Sequence, residues 1–326
     1  MNTSISPTRL RGALALLAIT LTFPAPQSSY AQQSPKRPRI TGISHVAYFV
    51  SDLPKAIGFW HDFLGYDVAY ELNKPGTNEV RIAFVKINDR QHVELFNEKP
   101  MAPPSMMSHV CFTTDNAEQM REYLAAKGIK VPAKVTTTRA GDMAFEIRDT
   151  DGTLVEFVQA LPTGKEAQAV TKFLPTTRVS DLIYHVGFVV GNAQRAMEFY
   201  GKVLGFTETW RGSPNPDELS WINMKVPDGT DYVEFMLYRD HPKDYGTSNH
   251  VALAVPSIPE ATKVLQGRVA TAHYGRELQP RVGVNQKRQL NLFDPDGTRV
   301  ELMETVTITG KPTPPSTAPP PPPAHE

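Results

Sequence analysis

The chain of 326 residues has a single cysteine, Cys111, so no disulfide can form within it. Its stability must come from an apolar core or from a bound ion. Neither sign of charge is in excess, since 34 lysines and arginines face 34 aspartates and glutamates. Without a basic surplus to release counterions, nucleic acid is not an expected partner. Long hydrophobic runs are also scarce. The apolar stretch Gly12–Phe23 is 12 residues long, well short of the roughly 20 that span a bilayer. Arg9 and Arg11 precede it, and Ser29-Tyr30-Ala31 places small residues where a signal peptidase reads. Residues 1–31 are therefore expected to be a cleaved export signal. The mature protein is then periplasmic or secreted, with no membrane span. Lack of an adjacent arginine pair disfavours the twin-arginine route.

Proline, by contrast, is abundant at the far end. The segment 308–326 contains the run APPPPPA and is expected to be an extended polyproline spacer outside the fold. The folded region is left as about 39–307.

Within that region the chain repeats itself. Laying 44–68 over 184–208 at a constant offset of 140 matches His45 with His185, Val46 with Val186, Ala56 with Ala196, Phe59 with Phe199 and Gly65 with Gly205. The same offset carries Val93-Glu94 onto Val233-Glu234. Further on, Ser108-His109-Val110 corresponds to Asn249-His250-Val251. The stretch from Asp149 to Glu156 likewise corresponds to that from Asp294 to Glu301. Each copy divides again, because both of its halves open on a His-Val strand and close on a Val-Glu strand. Four modules result, near 41–98, 105–161, 181–240 and 247–306. They form two domains, 41–161 and 181–307, joined by a linker at 162–180 in which a short helix is expected near Lys165–Lys172. Each module reads as strand, helix, then strands. In the first, Asp52 is placed to cap a helix with apolar positions Leu53, Ile57, Trp60 and Leu64, and Gly65 ends it. The Asp-Gly pairs at 151–152, 228–229 and 296–297 suit hairpin turns.

Each large copy offers His, Glu, His and Glu in the same order. His45, Glu94, His109 and Glu156 are separated by 49, 15 and 47 residues, and His185, Glu234, His250 and Glu301 by 49, 16 and 51. Imidazoles and carboxylates on otherwise apolar strands are costly to bury without compensation. A divalent Fe, Mn, Zn, Ni or Co ion would supply it, since nitrogen and oxygen donors suit all five. Strand alternation puts Cys111 on the face of His109, His92 on the face of Glu94, and small Ala252 beside His250. Cys111 reads as packing and His92 as an extra polar contact in the first site.

Paired βαβββ modules that open on His-Val and close on D-x-D-G-x-x-x-E resemble the vicinal oxygen chelate superfamily. It includes glyoxalase I, extradiol dioxygenases and bleomycin-resistance proteins. The resemblance covers about 41–306. It implies an α+β fold of two open β-barrel domains of glyoxalase/dioxygenase type. It also implies metal ligands on the outer strands of the modules, within one copy or between copies, and a small substrate chelated through adjacent oxygens. A monomer and a homodimer are both compatible with it.

Three chemistries follow from the resemblance. A glyoxalase-like isomerase or lyase uses two His and two Glu, with Glu156 or Glu301 as candidate base. An extradiol dioxygenase would use His185, His250 and Glu301 around Fe(II). Such enzymes carry a tyrosine where this chain has Asn291, and a histidine shortly upstream, which 281–290 lacks. A non-catalytic protein of the bleomycin-resistance kind would sequester a planar ligand. Of the two copies, the C-terminal one is expected to work, because small residues flank His250 and its Asp-Pro-Asp-Gly turn is better formed.

Overall fold

A computed structural model describes residues 1–4, 35–99, 106–237, 248–313, 316 and 319. Most of the expected export signal, and most of the proline-rich tail, lie outside the described residues. Among those described, no helix is long and apolar enough to cross a membrane.

The N-terminal copy contributes β1 (Ile40–Phe49), β2 (Val68–Asn73), β3 (Val80–Lys86), β4 (His92–Phe96), β5 (Met107–Thr114), β6 (Thr136–Thr137), β7 (Met143–Arg148) and β8 (Leu154–Gln159). They form one sheet in the order β2-β3-β4-β1-β5-β8-β7-β6. The C-terminal copy repeats this with β9 (Ile183–Val190), β10 (Thr207–Gly212), β11 (Trp221–Lys225), β12 (Tyr232–Leu237), β13 (His250–Val255), β14 (Arg281–Val282), β15 (Arg288–Phe293) and β16 (Arg299–Glu304), in the equivalent order. Two curled eight-stranded sheets with few helices are the α+β architecture expected. In each sheet the two modules meet at one antiparallel seam, β1 on β5 and β9 on β13. Each seam is flanked by parallel pairs, β1 with β4 and β5 with β8 in the first copy.

The helices are α1 (Leu53–Gly58), α2 (Ala117–Ala126), α3 (Lys165–Gln168), α4 (Ala193–Met197), α5 (Ile258–Gln266) and α6 (Thr271–Tyr274). Asp52 caps α1 as expected, its carboxylate accepting from the Lys55 amide; Asn116, Asn192 and Ser257 cap α2, α4 and α5 likewise. The helix expected to run to Leu64 changes its hydrogen bonding at Phe59–Phe63, where a wider π-helical turn swings Phe59, Trp60 and Phe63 inward. Gly65 and Gly205 then turn the chain back at φ +85° and +81°. One apolar core runs through both copies, from Trp60 and Tyr66 to Phe188 and Phe235, and Phe112 meets Phe206 edge-on across the boundary at 5.2 Å.

The copies are clasped by reciprocal polar contacts. The Ile43 amide donates to Asp231 at 2.9 Å, while the Ile183 amide donates to Gln91 at 2.8 Å. Both pairs are related by the 140-residue offset, and Gln91 also donates to Asp231 at 3.3 Å. Gly42 permits this approach, because a Cβ there would lie 2.6 Å from the Asp231 carboxylate. The D-x-D-G turns join the hairpins β7–β8 and β15–β16 as expected, and they also reach across. Asp151 accepts from the Gly191 amide and Asp296 from the Ser51 amide.

Asp149 organises the first of these turns, taking the Asp151 and Thr153 amides on one oxygen and the Tyr200 hydroxyl of the other copy on the second. Burial pushes its carboxyl up to about 6, against the opposing effect of those hydrogen bonds. A raised folded-state pKa contributes stability that is present below the unfolded value and lost as pH rises through the folded one. Asp149→Asn keeps the amide-accepting oxygen and has no charge to bury. Its stability relative to wild type is expected to improve by about 2 kcal/mol between pH 4 and pH 8. Urea denaturation of both proteins at the two pH values checks this; a flat difference would refute it.

Candidate metal centre

Strand register assembles the first cluster. Across the curled sheet, His92, His45, Cys111, Glu156 and Glu146 form one row, and Phe84, Glu94, Ala47 and His109 form the next. All point to the concave face. Small Ala47 and Cys111 at the row centres let the flanking side chains lean together. His45 Nε2 lies 3.0 Å from His109 Nε2 and 3.0 Å from a Glu156 oxygen, and His109 Nε2 lies 3.3 Å from that same oxygen. Glu94 stands slightly back, 3.7 Å from His45 and 3.9 Å from His109. All four expected residues of the N-terminal set therefore converge, and they do so within a single copy.

The second cluster has the same skeleton. Tyr232, His185, Ala252, Glu301 and Asn291 form one row, and Asn223, Glu234, Gly187, His250 and Arg299 form the other. His185 Nε2 lies 3.1 Å from His250 Nε2, and Glu301 lies 3.6 and 3.4 Å from the two imidazoles. Glu234 is 4.0 and 3.7 Å from them. Ligand-type atoms of His45, His109 and Glu156, and those of His185, His250 and Glu301, lie within 4.8 Å of one another in each set.

The surroundings differ. A cavity of about 390 Å³ opens over the first cluster, between an apolar wall (Tyr70, Leu72, Ile82, Phe84) and Arg139. That wall is an apolar patch separate from the main core. None of the second set lines this cavity, and His185, His250 and Glu301 are 0, 0 and 3% exposed. This cavity lies over the N-terminal cluster, whereas the C-terminal copy is the one expected to work. The gap left by Gly187 is filled by the ring of His250 itself, which would stand 2.0 Å from a Cβ at that position.

Electrostatics separate the copies further. Burial opposes the charge on Glu156, but hydrogen bonds from His109 and His45 outweigh it and hold the carboxyl well below its usual range. In the second copy burial and the charge of Glu301 raise the Glu234 carboxyl. Burial there also lowers both His185 and His250.

His92 stacks on His45 at 4.5 Å, with its Nε2 3.5 Å from Glu94. Its Nδ1 meets Glu166 at 2.6 Å. Burial disfavours its charge, yet Glu166 and Glu94 together push it up to about 10. Sequence reasoning found His92 by strand alternation but missed Glu166. That residue belongs to the expected linker helix, α3, which folds back over the site; no periodicity in the sequence encodes that return. In the second copy Tyr232 occupies the place of His92, stacked on His185 at 4.6 Å. Cys111 is buried within the first cluster. Burial followed by the Glu156 and Glu94 charges drives its thiol far above the ordinary range, so it remains a small neutral spacer.

A duplicated curled sheet, with two imidazoles and two carboxylates converging in its concavity, defines a class of metal-centre protein. The profile of the Glyoxalase/Bleomycin resistance protein/Dioxygenase superfamily matches residues 42–157 and 182–302, and the chain belongs to that superfamily. Glyoxalase I of Saccharomyces cerevisiae is 24% identical over 225 residues, covering 62% of this chain and 64% of that protein; the chain thus spans somewhat under two thirds of its length. Among solved structures, a Mn(II)-bound glyoxalase from Novosphingobium aromaticivorans superposes with a TM-score of 0.61 at 20% identity, covering 82% of this chain and 83% of that one. A mutant homoprotocatechuate 2,3-dioxygenase from Brevibacterium fuscum gives 0.64 at 18% identity, covering 86% and 76%. At such identities the structural likeness speaks for the fold.

The close fit at Gly187 yields a direct expectation. Gly187→Ala forces the His250 ring aside and should cost about 1–3 kcal/mol as an overpacked site. Denaturant unfolding measures it, and an unchanged midpoint would show that the ring has room to move.

Proposed function

We propose that the chain is a metal-dependent isomerase or lyase of glyoxalase type, working in its N-terminal copy on a small substrate chelated through adjacent oxygens. The observation that carries this reading is Glu94. A two-His, one-carboxylate centre has no use for a fourth donor, yet Glu94 points at the same spot as His45, His109 and Glu156. The donor set fits a divalent ion such as Fe, Mn, Zn, Ni or Co. His45 and His109 each have a serine hydroxyl 3.2 Å from Nδ1, from Ser44 and Ser108. A hydroxyl accepting from Nδ1–H leaves the Nε2 lone pair free for coordination. Once bound, such an ion supplies Lewis acidity to a carbonyl oxygen.

The protein's own residues handle the proton. The sequence points to Glu156 as base, but Glu156 contacts both imidazoles closely, as a firm ligand should. Glu94 stands farther off with His92 behind it, which suits a carboxylate that swings to the substrate carbon and back. The apolar wall of Tyr70, Leu72, Ile82 and Phe84 receives the substrate's body and keeps water from the reacting carbon.

The dioxygenase alternative places its triad at His185, His250 and Glu301, which are 0, 0 and 3% exposed. Sequestration without catalysis is distinguished by metal dependence. In chelator-stripped, Mn(II)-reloaded protein, Glu94→Gln should retain the ion and lose turnover of 2-oxoaldehyde adducts about 10²–10⁴-fold. Glu156→Gln should lose the ion. Oxygen uptake with catechols, or ligand binding unaffected by stripping, would replace this reading with the dioxygenase or the binding protein respectively. We also propose export to the periplasm or beyond, supported by the pattern at 1–31. N-terminal sequencing of the protein recovered from outside the cytoplasm should begin just after Ala31; an intact Met1 would refute it.

A further inference from the structure

The two clusters share four donors but differ in what surrounds them. The cavity wall of the first adds the carboxylates Asp142, Glu146 and Glu166 alongside Arg81, Arg90 and Arg139. At the matching positions the second copy has Lys287, Asn291 and Arg299 in place of Asp142, Glu146 and Leu154. Lys287 is 7% exposed and holds the Tyr184 hydroxyl at 3.2 Å. Arg299 pairs in register with His250, and its guanidinium lies 2.5 Å from His250 Nδ1 and 3.3 Å from the Ser248 carbonyl.

That contact bears on which nitrogen of His250 carries its proton. A coordinating imidazole nearly always donates its second N–H to an acceptor. The guanidinium is a donor with a permanent charge. Satisfying it puts the lone pair of His250 on Nδ1 and the proton on Nε2, directed at Glu301 3.4 Å away. The Ser248 carbonyl, 2.8 Å from the same Nδ1, asks for the opposite tautomer, so the guanidinium competes with the arrangement coordination requires. His185 is no better prepared, for its buried Nδ1 has no hydrogen-bond partner among the described residues. In the first copy, both corresponding nitrogens face serine hydroxyls.

We infer that the C-terminal cluster is not a second metal site: Arg299, helped by Lys287, supplies the positive charge that balances Glu301, and the protein carries one ion per chain, in the N-terminal copy. A divalent ion at the second cluster would be repelled by a fixed cation just behind one of its ligands. It would also add positive charge where the Arg299 guanidinium already helps hold the Glu301 carboxyl below its usual range, behind the larger contributions of the two imidazoles. Divergence at one strand position, Leu154 against Arg299, thus separates the two roles. The location of the single ion rests on the reading of the N-terminal cluster given above; the exclusion at Arg299 does not.

Mn(II) alone is the probe, added to chelator-stripped full-length protein and counted by elemental analysis after gel filtration, with bound-ion electron paramagnetic resonance as a second readout. Wild type should hold one ion per chain. His185→Ala should still hold one, and His45→Ala none. Arg299→Leu should acquire a second ion, lost again in Arg299→Leu/His185→Ala. Leu154→Arg should empty the first site. Two ions in wild type, or one ion that disappears in His185→Ala, overturns the inference. No ion in wild type sinks the functional reading, and the role of Arg299 is then decided by whether Arg299→Leu gains one. Should Arg299→Leu fail to fold, the His185→Ala count and Leu154→Arg still decide the matter.

Discussion

Burying carboxylates beside imidazoles demands a compensating positive charge, and the rest of this structure is arranged around meeting that demand. Four donors reach one point because a β1–β5 seam, flanked by β4 and β8, sets them two residues apart on one face. A slip of one residue at the seam would turn every donor into the core and every core residue into the cavity. The helices lie against the sheets, α1 beside β4 and α2 beside β7 and β8. Their apolar faces share one core with Val46, Tyr48 and Val110 on β1 and β5, which ties the helices to the register on which the chemistry depends.

The skeleton of this arrangement was legible because duplication wrote it twice. A constant offset picked out His45 with His185 and Glu94 with Glu234, and strand alternation placed His92 and Cys111 on the donor face. Sequence could not show what encloses each cluster. Glu166 arrives from a helix expected only as a linker, and Asp142 and Glu146 come from just before, and from within, a strand whose pairing partner had not been assigned. Arg299 was visible as the variable residue of a D-x-D-G-x-x-x-E motif, where a long cation looks like surface decoration. Only the parallel pairing of β13 with β16 brings it against His250.

The preference for the C-terminal copy rested on small residues near His250. Small residues near a donor imply free volume only if the donor itself does not fill it. At Gly187 it does: the imidazole of His250 lies where a side chain would start. In the first copy Ala47 occupies that place opposite His109, and the volume appears farther out, between β2, β3 and the loop carrying Arg139. Composition around a motif therefore predicts crowding poorly, whereas the identity of the residue facing each donor across the strand predicts it well.

A copy that needs no ion still has work to do in this fold. Asp231 of the second copy holds the Ile43 amide and Gln91, and both lie beside the first cluster: Ile43 two residues before His45, and Gln91 directly before His92. Asp231, Ile43 and Gln91 also line the N-terminal cavity. The strand that presents His92 to Glu94 is thus anchored at its start by the C-terminal copy, and the turn after β1 is pinned by Asp296. A lone N-terminal copy would leave Gln91, the Ile43 amide and the apolar face around Phe112 without their partners. The second copy is accordingly a structural requirement of the first one's site, and its cluster had to be made stable in place. A guanidinium meets that need without a binding equilibrium, since an arginine, unlike an ion, cannot dissociate.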